Sequence, residues 1–120
     1  MTERADRRTI AELEARYVLE PSLRDIYVEG PSDRVLVELA LKCLGESSRI
    51  RAYDVDTVDV PATLLEERSL LGGNKGRLLA LADELAIKST RDLQSSVACL
   101  ADLDFDGILG TCRDYPLLVY

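Results

Sequence analysis

The stretch Asp25-Ile-Tyr-Val-Glu-Gly30, followed at once by Pro31, is a short apolar segment that stops on an acid and a glycine and runs directly into a helix. Proline suits that junction, because its fixed φ is pre-set for the first helical position and its missing N–H would have no partner there anyway. The helix is expected over residues 31–44, with Val35, Leu36, Leu39, Ala40, Cys43 and Leu44 as the face turned to the core and Gly45 as its stop. Glu29 then sits at the carboxyl end of a strand, and the segment reads as a strand–turn–helix unit.

The remaining chain repeats this alternation. Residues 6–19 read as a lead-in helix with Ile10, Leu13, Tyr17 and Val18 at helical spacing, closed by Pro21. Residues 49–55 give a second strand and 57–61 a short extended piece. Leu71-Gly-Gly-Asn-Lys-Gly76 is a turn that opens a second helix, whose apolar stripe is Leu78, Leu79, Leu81, Ala82, Leu85 and Ala86. A polar loop over 88–95 leads to a buried strand over 96–101, which exits into Asp102-Leu-Asp-Phe-Asp-Gly107, and residues 116–120 supply a last apolar strand. Strands alternating with helices predict an α/β, Rossmann-like parallel sheet of about four strands, with helices on both faces and right-handed crossovers. Residues 1–22 form the lead-in and 23–120 the domain. The end on an apolar strand with no polar tail suggests one part of a longer polypeptide.

Composition limits the chemistry. The 120 residues, 47% hydrophobic and 31% charged, suit one soluble domain, and no apolar run reaches the roughly 20 residues of a membrane span. The opening residues carry charge without an apolar core segment, so no secretory signal is read and the expected compartment is the cytoplasm. Cys43, Cys99 and Cys112 lack CxxC spacing and read as reduced packing residues. With no histidine in the chain, a Ser-His-Asp triad, a Cys-His pair and a histidine base are excluded, and zinc is disfavoured. Carboxylates must carry any acid–base work. The net charge of −7 opposes tight binding of nucleic acid by this domain alone, so metal ions or a partner must offset it.

Ligands of open parallel sheets bind at the carboxyl edge, and this rule brings Glu29 together with Asp102, Asp104 and Asp106, more than seventy residues away in sequence. Magnesium takes oxygen ligands and is usually held by one or two carboxylates plus substrate phosphate. Three acids so close in sequence repel one another unless a cation neutralises them. An EF-hand loop shares the start of this pattern, but Arg113 stands where its bidentate glutamate belongs, and a strand rather than a helix precedes it. A haloacid-dehalogenase-type phosphatase would place its Asp-x-Asp near the start of the domain and a threonine at the position of Asp106. Lys75 and Arg77, at a helix start after two glycines, suit a substrate phosphate or a plain capping loop, and the P-loop ending is absent. Tyr27, Tyr53, Phe105, Tyr115 and Tyr120 are too scattered for a base-stacking platform and read as packing residues.

IYVEGPSDRVLVELAL resembles the first motif of the Toprim domain of topoisomerases, primases and OLD-type nucleases, and VACLADLDFDG resembles its later strand ending in Asp-x-Asp. The resemblance covers residues 24–120. The Glu-Gly-x-x-Asp form of the first motif, together with GGNKGRLLALADEL, is similar to the OLD-like (overcoming lysogenization defect) nucleases and their uncharacterised bacterial relatives. It implies that Glu29 is the general acid/base or a metal ligand and that Asp102 and Asp104 bind magnesium, for which manganese can substitute. Asp33 matches a second acid of that branch and implies two-metal cleavage, while Asp106 extends the cluster. The implied partners are nucleic acid, DNA ahead of RNA, and an ATPase domain or subunit, with no membrane and with oligomerisation left open. The resemblance does not supply the family's downstream catalytic lysine or further acid, since the sequence ends at Tyr120, and there is no nucleophilic tyrosine domain. Hydrolysis by activated water is therefore expected rather than topoisomerase chemistry. A catalytically idle Toprim-like module within a defence or repair complex is the alternative.

Overall fold

The computed structural model describes residues 7–89, 93–101 and 117–119. Its centre is a four-stranded parallel sheet in the order β3-β2-β5-β6, built from β2 (Asp25–Val28), β3 (Arg51–Asp54), β5 (Val97–Leu100) and β6 (Leu118–Val119). A second, two-stranded parallel sheet joins β1 (Arg8–Thr9) to β4 (Val58–Asp59). Among the described residues, four helices connect or precede these strands: α1 (Ile10–Leu19), α2 (Pro31–Cys43), α3 (Ala62–Glu67) and α4 (Asn74–Lys88). The chain is thus an α/β fold of Rossmann-like kind. Among the described residues no helix is long and apolar enough to cross a membrane.

Side chains alternate across a strand, so β2 sends Tyr27 to one face and Ile26 and Val28 to the other. Tyr27 and Cys99 join the main core with Leu13 and Tyr17 of α1 and Leu78, Leu81, Ala82 and Leu85 of α4. The apolar stripe expected on the second helix therefore faces the sheet as read from the sequence. On the opposite face α2 rests against β2 and β3.

The helix α1 starts one turn later than its periodicity alone suggests, because Thr9 and Glu12 form a capping box in which each side chain accepts a hydrogen bond from the other residue's backbone N–H, both at 3.1 Å. Its packing surrounds a polar core. The Tyr17 hydroxyl lies 2.6 Å from Asp25 Oδ2 and 2.7 Å from the Tyr27 hydroxyl, and Arg16 Nε donates to the same Asp25 oxygen at 3.3 Å. The Asp25 carboxylate is almost wholly buried at the amino end of β2, so these donors replace its lost water. Burial also raises both tyrosine hydroxyls above their ordinary pKa.

The exit of α2 is a Schellman motif. Gly45 takes φ +74°, its N–H donates to the Lys42 carbonyl at 3.1 Å, and the Glu46 N–H donates to the Leu41 carbonyl at 2.8 Å. The orientation of α2, however, corrects the sequence reading. Leu41 is its buried residue, whereas Val35, Leu36, Leu39 and Leu44 are 56%, 65%, 56% and 75% exposed, and Ala40 and Cys43 are exposed as well. Apolar residues occur on more than one side of this helix, so periodicity alone does not choose the face. The side that packs on the sheet carries Leu41 and the half-buried Val37, and Arg34 on that same side pairs with Asp54.

Candidate functional site at the carboxyl edge of the sheet

The register of the sheet defines this edge. Val28 is level with Asp54 of β3 on one side and with Leu100 of β5 on the other, so Glu29 and Ala101 leave adjacent strands in the same direction. Neighbouring strands lie about 4.8 Å apart, so the chain entering the aspartate cluster begins beside Glu29. Asp102, Asp104 and Asp106 themselves lie outside the described residues.

Glu29 is half-buried and precedes Gly30, whose extended backbone (φ −156°, ψ −179°) turns the chain into α2 with no side-chain cap. Asp33 occupies the first turn of that helix, where the positive end of the macrodipole favours a carboxylate. A pocket of about 200 Å³ lies against it, lined by Asp33, Leu36, Val37, Leu100 and Ala101. Asp33 therefore borders the exit of β5, on the face of the sheet that carries α2.

Two arginines stand on the same edge. Arg34 Nε donates to Asp54 Oδ1 at 2.6 Å, and its Nη1 reaches Glu38 at 3.4 Å. The hydrogen bond to Asp54 and the charges of Asp54 and Glu38 raise the Arg34 pKa. Arg77, in the first turn of α4, donates to Asp56 at 3.3 Å and to Asn74 at 3.1 Å. The turn that delivers it depends on Gly73, whose φ of +95° lies in the region that side chains disfavour. Arg77 is thus engaged with Asp56, and Lys75, on the same first turn, also has a partner.

The acids Asp54 and Asp56, and the cation Arg34, were not singled out as site residues from sequence. A signal existed for Asp54, because any acid ending a parallel strand falls on the edge where ligands bind. None existed for Arg34, whose relevance depends on which side of α2 meets the sheet. Among the described residues, no group of three or more acids and cysteines stands close enough to hold a metal ion. The described edge supplies carboxylates from Glu29 and Asp33, oxygen donors of the kind that suit a hard cation, beside the point where the chain passes into three more. In comparisons with known proteins, the chain matches no family model, no curated protein and no solved structure.

Proposed function

We propose that this chain hydrolyses phosphodiester bonds of nucleic acid, DNA ahead of RNA, at a Toprim-type, OLD-like carboxylate site that uses magnesium or manganese. The observation that carries the reading is the register Val28–Leu100, which makes Glu29 the neighbour of the strand exit leading to Asp102. Glu29, Asp33, Asp102, Asp104 and Asp106 are the residues that would hold the metal. Bound there, the cation would neutralise these acids and stabilise charge on the attacking and leaving oxygens. Glu29, on the rigid end of β2, takes the proton from the attacking water. Lys75 and Arg77 orient the substrate phosphate from the start of α4, Arg77 exchanging Asp56 for it. With a net charge of −7, the chain relies on an ATPase domain or subunit to bring the nucleic acid to this edge in the cytoplasm.

A second reading, an idle module that binds metal and a partner without cleaving, is favoured by the pairing of both Arg34 and Arg77 with acids of the same edge. Nicking of supercoiled plasmid in magnesium or manganese separates the two. The nuclease reading expects metal-dependent nicking that disappears in Glu29→Gln and Asp102→Asn. The idle module expects magnesium binding with no nicking, and equal nicking by all three proteins would sink the nuclease assignment.

A further inference from the structure

We propose that Arg34 is a positioning residue, which grips Asp54 so that the β2–α2 turn presents Glu29 and Asp33 to the magnesium site. This inference rests on the metal site proposed above. The first turn of α2 has no side-chain cap, and Gly30, which joins it to β2, has open space where a Cβ would stand. Neither feature fixes the direction in which Asp33 leaves the edge. The Arg34 side chain supplies the missing restraint. Its 2.6 Å contact with Asp54 is the short, charge-assisted kind, and its backbone N–H makes the first bond of the helix, to the Gly30 carbonyl at 3.0 Å, so the side-chain contact is tied directly to the turn.

Asp54 is a firm anchor for this contact. Its side chain is only 15% exposed, its backbone is level with Val28 in the sheet, and its carbonyl accepts from the Thr57 hydroxyl at 2.8 Å. The guanidinium also spans Asp54 with Nε and Glu38 with Nη1. A lysine ammonium carries the charge but cannot span both acids in this planar arrangement. Asp33 follows Arg34 by adjacency in the chain, and Glu29 follows through Gly30, so a shift of this one side chain moves both acids together.

Calorimetric titration of the intact chain with magnesium tests the idea, beside thermal melts of the metal-free proteins. Arg34→Gln and Asp54→Asn are each expected to weaken magnesium binding on the order of 10–100-fold, as loss of a residue that orients metal ligands does. The double variant is expected to bind no more weakly than either single one, because both remove the same contact. Arg34→Lys guards against misfolding: it should melt like the wild type and still bind magnesium several-fold more weakly. Wild-type affinity in Arg34→Lys and Arg34→Gln, with only a lower melting temperature, would make the pair structural and overturn the inference. Further weakening by Asp54→Asn in the Arg34→Gln background would overturn it too, making Asp54 a ligand. If the wild type binds no magnesium, or Glu29→Gln binds it equally, the site itself fails and this inference with it.

Discussion

Val28 and Leu100 stand level with one another in adjacent parallel strands, so Glu29 and Ala101 emerge as neighbours although more than seventy residues separate them in the chain. The backbone therefore meets the geometric condition that a shared carboxylate site requires, up to the residue before Asp102. Acids delivered to one edge in this way repel in the absence of a cation.

That repulsion gives the first prediction. Magnesium should raise the melting temperature of the wild-type chain, since a ligand bound only by the folded state stabilises it, by about 2.7 kcal/mol at one hundred times its dissociation constant. Asp33→Asn and Asp102→Asn should each shrink the rise, read by differential scanning fluorimetry across a magnesium series. An undiminished rise in both variants would place the ion elsewhere.

The two apolar stripes should respond differently to mutation. Leu81 on α4 is fully buried, and Leu81→Ala is expected to cost about 2–5 kcal/mol by leaving a cavity. Leu36 on α2 is 65% exposed, and Leu36→Ser should fall within about 0.5 kcal/mol of wild type. Urea unfolding of both variants measures the contrast, and comparable losses would mean that the outer side of α2 is covered.

Gly76 is buried in the first part of α4, where an added Cβ would run into the Leu71 carbonyl and press on Leu65. Despite alanine's better helix propensity, Gly76→Ala should destabilise by about 1–3 kcal/mol through overpacking. Gly72→Ala, with open space at that position, should not. The comparison is again a pair of denaturant midpoints.

Alkaline pH should weaken the fold in a defined order. Burial pushes the Cys99 thiol up to about 12 from an ordinary 9.0, so its protonated form is favoured in the folded state. Its contribution is intact below pH 9 and is lost as pH rises from there towards 12, because the unfolded chain releases the proton first. Tyr17 and Tyr27, both raised by burial, add the same trend above their ordinary value of 10.0. Melting temperatures should therefore be level from pH 7 to 8 and fall beyond 9, less steeply for Cys99→Ala between pH 9 and 10. A profile rising through that range would contradict the assignment.

The strands β2 and β5 are legible in the sequence because each is a compact apolar run closed by an acid, whereas β3, Arg51-Ala-Tyr-Asp54, carries two charges and its limits and register are set by pairing with β2. The α4 stripe is equally plain, since Leu78, Leu81, Ala82 and Leu85 recur at helical spacing on one side of the helix. The face of α2 is not, because Val37 and Leu41 compete with Val35, Leu36 and Leu39, and only tertiary packing on the sheet separates the two sets. The short helix α3 and the small β1–β4 sheet have too few residues to show a period, and they are held by tertiary contacts instead. The same holds at the edge. Glu29 and Asp33 are local to a motif, but Arg34 becomes relevant only when Asp54, twenty residues on, meets it.

The amino-terminal helix looks dispensable in one dimension, preceding the first strand of the main sheet. In three dimensions it supplies the hydroxyl that solvates Asp25, and Ile10, Leu13 and the Tyr17 ring that close one side of α4. A version of the protein begun at β2 would strip Asp25 of its Tyr17 and Arg16 partners and open a greasy trench along α4. Such a truncation should go to inclusion bodies rather than yield a smaller working unit.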